Sequence, residues 1–220
     1  MRFKALITGV IGLASAAVSA ADPLAPVNDN LVVVQGRSVS IAKPDILGTV
    51  AMRAGVTAYD VRWRRVSAAD ESDSRILGMA AIARTAGTDL ALRIASVQSQ
   101  VMHQVRWGHD LDTYRIADYW AGAGETLTRG VGDSEDIAIL KLQILKAAGF
   151  PSRDIYLSVG RDRRRGADTL LIVRAACRFY ALDDQAMRAL PQVRDAQFEP
   201  MITLGRDQAW VHGRRVVGIR

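Results

Sequence analysis

One short segment of the sequence combines a hydroxyl group with several carboxylates, at the point where a glycine-containing loop gives way to a helical pattern. The segment reads Gly132-Asp133-Ser134-Glu135-Asp136-Ile137-Ala138 and closes on Lys141. A serine becomes a nucleophile only when a base takes its proton, but serine is also a favoured residue at a helix start, where its oxygen accepts a free N–H. Acidic residues in a first helical turn offset the helix dipole. The residue types therefore favour capping over catalysis at Ser134.

Histidine, the commonest base for a serine nucleophile, is scarce. The chain has three histidines, His103, His109 and His212. His103 falls within a helical pattern, His109 follows it, and His212 lies near the end of the chain. The sequence brings none of them to Ser134, so a relocated base is the less favoured alternative.

The chain has one cysteine, Cys177, so an intrachain disulfide is excluded. Cys177 lies in an apolar, strand-like run from 170 to 181. We predict a small buried side chain there and not a reactive thiol.

The serine segment is positioned by a predicted helix over 133–148. Its apolar residues share one face, Asp133 is placed to cap its start, and Gly149 followed by Pro151 ends it. An earlier helix is predicted over 89–106, and 75–86 is compatible with a third. Residues 107–120, rich in aromatic and aspartate residues, read as a loop.

After Pro151 the apolar period changes from that of a helix to that of strands. Strands are predicted over 154–159, 169–175 and 178–182, with an arginine-rich turn joining the first two. A short strand is also predicted at 31–34, after an irregular segment at 22–30, while 45–58 shows no clear pattern. A helical half followed by antiparallel strands predicts an α+β domain.

The first residues have the pattern of a secretory signal peptide. Arg2 and Lys4 precede an apolar run, and the small residues that follow suit cleavage after Ala20. A retained N-terminal anchor is the less favoured alternative. The net charge of +6 would fall by two on cleavage and is spread along the chain, which together with export argues against a nucleic-acid partner.

Several segments, in this order, resemble the bacterial transglutaminase-like cysteine peptidases. The matching residues are Val101, Val105-Arg106-Trp107, Asp110, Tyr114, Asp118-Tyr119-Trp120-Ala121, Glu125-Thr126-Leu127, the segment 132–141, Leu182-Asp183 and Ala209-Trp210-Val211-His212-Gly213. The resemblance implies an exported, periplasmic protein with a papain/transglutaminase-like core, in which the nucleophile helix packs on a small antiparallel sheet. It divides the chain into a signal peptide (1–20), an N-terminal extension (21–60) and the peptidase-like domain (61–220).

The same resemblance identifies three catalytic positions. The nucleophilic cysteine of the family falls on Ser134, the histidine on Asp168 (or on Thr169), and the orienting carboxylate on Asp183. Two of the three residue types differ from those of an active member. Because aspartate is far too weak a base to activate a hydroxyl, the resemblance implies a degenerate, non-catalytic member that keeps a polypeptide-binding cleft.

The resemblance also implies a cofactor. In adhesin-cleaving members of the family, carboxylates beside the nucleophile help to bind calcium, and here Asp133 and Glu135 occupy those positions. Calcium takes several oxygen ligands, which carboxylates supply.

Two surface features remain open. Trp107, Tyr114, Tyr119 and Trp120 either line a groove for an extended polypeptide or pack beneath the loop, and packing is favoured. The arginine-rich run 161–166 is predicted to be a solvated hairpin tip. Beside the non-catalytic interpretation, two alternatives stand: an active hydrolase that uses Ser134 with a relocated base, and an envelope scaffold or binding module.

Overall fold

A computed structural model describes residues 43–68, 72–187 and 197–214 of the 220-residue chain, and the backbone of 31–34, 37–40 and 190–191. The predicted signal peptide at 1–20 and the irregular segment at 22–30 lie outside these residues. The helices are α1 (Asp60–Ser67), α2 (Ser74–Thr85), α3 (Leu90–Gln104), α4 (Asp110–Tyr114), α5 (Ala123–Arg129) and α6 (Ser134–Ala147), and a single 3-10 turn spans Ser152–Asp154.

The strands form one large sheet and two small ones. They are β1 (Leu31–Val34), β2 (Arg37–Ser40), β3 (Val50–Ala54), β4 (Arg106–Trp107), β5 (Val131–Gly132), β6 (Ile155–Asp162), β7 (Gly166–Ala175), β8 (Arg178–Leu182), β9 (Leu190–Pro191), β10 (Phe198–Leu204) and β11 (Ala209–Gly213). The large sheet is antiparallel, with seven strands in the order β3-β11-β10-β6-β7-β8-β9. The hairpin β1–β2 and the parallel pair β4–β5 stand apart.

The predicted α+β class and the papain/transglutaminase-like arrangement are confirmed in outline. The helix predicted over 133–148 is α6, and the three predicted strands are β6, β7 and β8. Two expectations need correction. The segment 107–120 is not all loop, because it contains the end of β4 and the short helix α4. Residues 50–54, which showed no clear pattern, form the edge strand β3.

The central helix α6 is buried on nearly all sides. It packs with α3 against one face of the sheet, and α2 packs on both helices. Ile144 of α6 and Leu171 of β7 belong to the same buried cluster. Two polar side chains on α6 are buried with hydrogen bonds to backbone carbonyls: Lys141 Nζ donates to Asp183 O at 2.5 Å, and Gln143 Nε2 donates to Val66 O at 2.8 Å. Because an unpaired buried donor costs free energy, these bonds fix the helix against the loops around it.

The sheet is buried on both faces at its centre. Alternate residues of β7 point to opposite sides, so Leu171 and Val173 join the helical core while Leu170 and Ile172 join a second cluster. This second cluster is covered by the segment before β3, through Ile46. The sheet therefore depends on residues that precede the 61–220 boundary predicted for the domain.

The turn between β7 and β8 corrects the expectation for Cys177. Ala176 and Cys177 both have positive φ, at 48° and 61°, as a tight two-residue hairpin turn requires. The turn projects Cys177 into solvent, so the thiol is exposed and not buried. None of the described helices is both long and apolar enough to cross a lipid bilayer.

Candidate functional site

The start of α6 is capped by Asp133 and not by Ser134. The Asp133 carboxylate accepts a hydrogen bond from the N–H of Asp136 at 3.4 Å, as predicted for the cap. Ser134 is the first residue of the helix, and its hydroxyl donates to Glu135 Oε2 at 3.1 Å. Ser134 is buried, at 9% exposure, and because its hydroxyl bonds to a side chain and not to a free helix N–H, it does not cap the helix.

The parallel pair β4–β5 brings a second acidic segment to this helix start. Gly108 N–H donates to Gly132 O at 3.1 Å, which places Asp110, at the beginning of α4, beside the first turn of α6. Gly132 has no room for a side chain, because a Cβ there would lie 2.7 Å from Asp136 Cβ. The glycine therefore allows the loop to pass close to the helix.

Three carboxylates meet at this point, which we call the helix wall of the site: Asp110, Asp133 and Glu135. One oxygen of each lies within 4.8 Å of the others. Burial, reinforced by the charges of Glu135 and Asp136, raises the pKa of Asp133 to about 10. Burial also raises the pKa of Glu135 and of Asp110. Without a cation, then, the carboxyl group of Asp133 is protonated at neutral pH.

A second group of charged residues faces the cleft, and we call it the sheet wall. It consists of Arg165 in the β6–β7 turn, Asp168 in β7 and Asp184 just after β8. Arg165 donates from Nη2 to Asp168 Oδ2 and from Nη1 to Asp184 Oδ1, each at 2.7 Å. The side chains of Asp168 and Asp184 are 3% and 1% exposed. Burial raises the pKa of Asp168 to about 7, although the guanidinium of Arg165 lowers it. The turn itself is held by Asp162, whose carboxylate accepts the N–H of Arg165 at 2.9 Å.

The two walls enclose one cleft of about 690 Å³. Ser134 and Asp168, from distant parts of the sequence, both line it, as does Thr169, the alternative to Asp168. At the position expected for the orienting carboxylate, Asp184 and not Asp183 lines the cleft. The carboxylate of Asp183 instead accepts the backbone N–H groups of Gln185 and Ala186 at 3.0 and 2.5 Å.

The three histidines occupy different environments. His109 lines the cleft, with its ring edge-on to Trp107 at a centroid distance of 4.5 Å. His103 is at the end of α3, where its Nδ1 lies 2.7 Å from the Ser99 carbonyl. His212, in β11, lies between the hydroxyls of Thr49 and Thr203 at 2.7 and 2.8 Å, and burial lowers its pKa to about 4. The His212 side chain thus links β11 to the residue that precedes β3 and to β10.

The aromatic residues divide between the two predicted roles. Trp107 is half exposed and Trp120 is buried, but both line the cleft. Tyr114 and Tyr119 pack on each other at a ring-centroid distance of 4.7 Å, and an arginine stacks on each ring. Trp120 also stacks on Tyr59, at 5.4 Å. Packing beneath the loop is therefore the role of Tyr114 and Tyr119, and Trp107 is the exposed member of these four aromatic residues.

Comparison with known proteins agrees with this geometry. The family model described as "Bacterial transglutaminase-like cysteine proteinase BTLCP" matches residues 54–211, so the chain belongs to this family. The search of curated proteins returned no match.

Three solved structures of LapG from Legionella pneumophila are similar to the chain. The EGTA-treated form is 20% identical, with a TM-score of 0.53, over 65% of this chain and 87% of that chain. A second LapG structure has 20% identity and a TM-score of 0.52, over 62% and 84%. A third, described as calcium-bound, has 19% identity and a TM-score of 0.47, over 62% and 87%. At these identities the likeness to the first two structures establishes the fold alone.

The sequence did not reveal the roles of three residues of the site. Asp184 is adjacent to the predicted Asp183, and only the backbone turn after β8 decides which carboxylate faces inward. Arg165 was assigned to a solvated hairpin tip, although its spacing of three residues from Asp168 is compatible with an ion pair. Asp110 was part of the family resemblance, but no spacing in the sequence connects it with Asp133.

Proposed function

We propose that the chain is an exported, non-catalytic member of the transglutaminase-like cysteine peptidase family, with a cleft that binds a polypeptide. The observation that carries the proposal is the ion-paired group Asp168–Arg165–Asp184, which occupies the cleft opposite Ser134. By the family resemblance, position 168 belongs to the base of the catalytic centre. Here that position holds a carboxylate engaged by a guanidinium.

The hydrogen bond of the Ser134 hydroxyl supports the same proposal. Its hydroxyl donates to Glu135, whose carboxylate is a far weaker base than an alkoxide. A carboxylate in this place accepts a hydrogen bond without removing the proton. The helix dipole, which assists ionisation of a thiol, is too weak to ionise a hydroxyl.

Activity assays test the proposal directly. Purified protein should not cleave a peptide library, with or without calcium. Cleavage that disappears in Ser134→Ala would overturn the non-catalytic assignment.

Restoring the family residues gives a second test. Ser134→Cys with Asp168→His should restore a reactive thiol, but the exposed Cys177 would also be alkylated, so both changes belong in a Cys177→Ser background. We expect iodoacetamide to label the double variant about tenfold faster than free cysteine at neutral pH, because an ion pair lowers the thiol pKa. The matched control is Ser134→Cys alone. Equal rates for the two variants would show that position 168 does not face position 134.

We further propose that the helix wall binds calcium. Two oxygens that each lie about 2.4 Å from one ion are at most about 5 Å apart, and the carboxylate oxygens of Asp110, Asp133 and Glu135 meet this limit at 4.8 Å. Asp110 Oδ1 is buried with no hydrogen-bond partner among the described residues, so it is free to act as a ligand. The donor set is hard oxygen, which suits calcium, and waters or carbonyls would complete the coordination.

Thermal unfolding of chelator-treated protein tests the calcium site. Calcium should raise the Tm in wild type and not in Asp133→Asn or Glu135→Gln. Asp207→Asn, an exposed carboxylate elsewhere, is the matched control and should respond like wild type. An unchanged Tm at about 10 mM calcium, well above typical affinities of extracellular sites, would contradict the proposal.

A second candidate function is an active serine hydrolase, and one observation favours it. His109 lines the same cleft as Ser134, so a base is present nearby. This candidate requires covalent labelling of Ser134 by a serine-directed phosphonate, with labelling lost in His109→Ala. Absence of labelling in folded protein leaves the non-catalytic function.

Export is a separate part of the proposal, supported by the signal-like pattern of residues 1–20. Expression of the full chain in a Gram-negative host, followed by fractionation, should place a protein shortened near residue 20 in the periplasm. Recovery of the uncleaved chain in the cytoplasm would exclude export.

A further inference from the structure

The cleft carries far more negative than positive groups. Arg165 and His109 are its basic residues among those described. The carboxylates that line it come from four parts of the chain: Asp118, Asp133, Glu135, Asp168 and Asp184. Even a divalent ion on the helix wall would leave negative charge in the cleft.

The excess of negative charge is clearest on the sheet wall. Two buried carboxylates share a single guanidinium there, so one negative charge remains when both are ionised. Asp184 Oδ1 is bonded to Arg165, but Asp184 Oδ2 is buried with no hydrogen-bond partner among the described residues. A buried acceptor without a donor costs free energy, and a ligand that supplies an N–H group would recover that cost.

The exposed indole of Trp107 also suits a ligand that carries N–H groups. Trp107 is 48% exposed, and the face of an indole attracts ammonium and guanidinium groups. Lysine and arginine side chains combine such a charged head with an apolar stem, which packs along an aromatic surface. The indole and the negative charges therefore favour a basic side chain over an acidic or neutral one.

We propose that the cleft recognises a polypeptide by a lysine or arginine side chain, which binds between Trp107 and the sheet-wall carboxylate of Asp184. The proposal rests on the polypeptide-binding function above and names its substrate class. It uses the sheet wall, so calcium on the helix wall is compatible with it.

Binding of capped pentapeptides that differ only in the central residue tests this inference. Ac-Gly-Ala-X-Ala-Gly-NH₂ with X as lysine, arginine, acetyl-lysine or glutamate is titrated by calorimetry, with and without calcium. We expect the lysine and arginine peptides to bind about tenfold more tightly than the other two, and the difference to shrink at high salt. Equal binding of all four peptides would overturn the basic specificity but not the polypeptide-binding cleft. No binding of any peptide would overturn both.

Variants locate the interaction. Asp184→Asn should remove most of the preference for lysine over acetyl-lysine, whereas Asp207→Asn, which makes the same charge change at an exposed site, should keep it. If Asp184→Asn does not fold, Trp107→Leu provides the second variant, and it should also reduce the preference. A full preference in a folded Asp184→Asn protein would place the cationic group elsewhere and overturn the assignment.

Discussion

On the sheet wall, two buried carboxylates share the guanidinium of Arg165, whereas on the helix wall three carboxylates face one another within 4.8 Å. On the sheet wall, Arg165 supplies one positive charge for two carboxylates, so half of the compensating charge comes from within the chain. On the helix wall the raised pKa of Asp133 lowers the negative charge by protonation, and the proposed calcium ion would lower it further. Burial of acidic residues therefore has opposite consequences on the two sides of one cleft. Removing a charged group should therefore destabilise the protein at the sheet wall and stabilise it at the helix wall.

The largest effect is expected from Arg165→Met. The change leaves Asp168 and Asp184 buried without their cation, and we expect a loss of about 3 kcal/mol in the free energy of unfolding. Urea denaturation measures it. Arg164→Met, at the neighbouring exposed position, is the matched control and should stay within about 0.5 kcal/mol of wild type. A similar loss in both variants would mean that the sheet wall does not depend on the ion pairs.

On the helix wall, Asp133→Asn is expected to raise the free energy of unfolding and not to lower it. At pH 7 the unfolded Asp133 is ionised while the folded carboxyl is protonated, because its pKa is raised to about 10, so folding in chelator must take up a proton. We expect Asp133→Asn to gain about 1 kcal/mol in chelator and to lose the stabilisation by calcium. A variant less stable than wild type in chelator would contradict the like-charge account of this wall.

The smallest expected effect is a dependence of the protein's stability on pH. The raised pKa values of Asp133, Asp136 and Asp168 give stability that is present below pH 4 and is lost as pH rises through about 7 to 10. His212 acts in the reverse sense, because its lowered pKa gives stability that is present above pH 6.5 and is lost as pH falls to about 4. In chelator, the urea midpoint should therefore fall between about pH 6.5 and 9, and calcium should flatten that fall. A midpoint that rises over this interval would exclude net proton uptake by the cleft.

The sequence predicted those parts of the fold that depend on local pattern. The helix α6 and the strands β6 to β8 were found because their apolar residues repeat with a regular period and their ends carry glycine, proline or capping residues. The strand β3 was missed because its burial depends on pairing with β11, from the other end of the domain. Cys177 was misplaced because an apolar run continues through the turn that exposes it.

The candidate site was predictable to the level of its helix and one strand. The family resemblance placed Ser134 and Asp168 in one cleft, as the structure has them. It did not distinguish Asp183 from Asp184, because adjacent residues of a turn point in directions that no periodic pattern fixes. The partner Arg165 was missed because its charge suits a solvated hairpin tip as well as an ion pair.

The parallel pair β4–β5 gives the protein a built-in optical reporter. Two backbone hydrogen bonds, Arg106 N to Gly130 O and Gly108 N to Gly132 O, hold the indole of Trp107 next to the strand that leads into Asp133. The chain has four tryptophans, and the other three, at 63, 120 and 210, are buried. Long-wavelength emission from native protein therefore comes from Trp107, and its intensity should follow events at the carboxylates of the helix wall without any added dye.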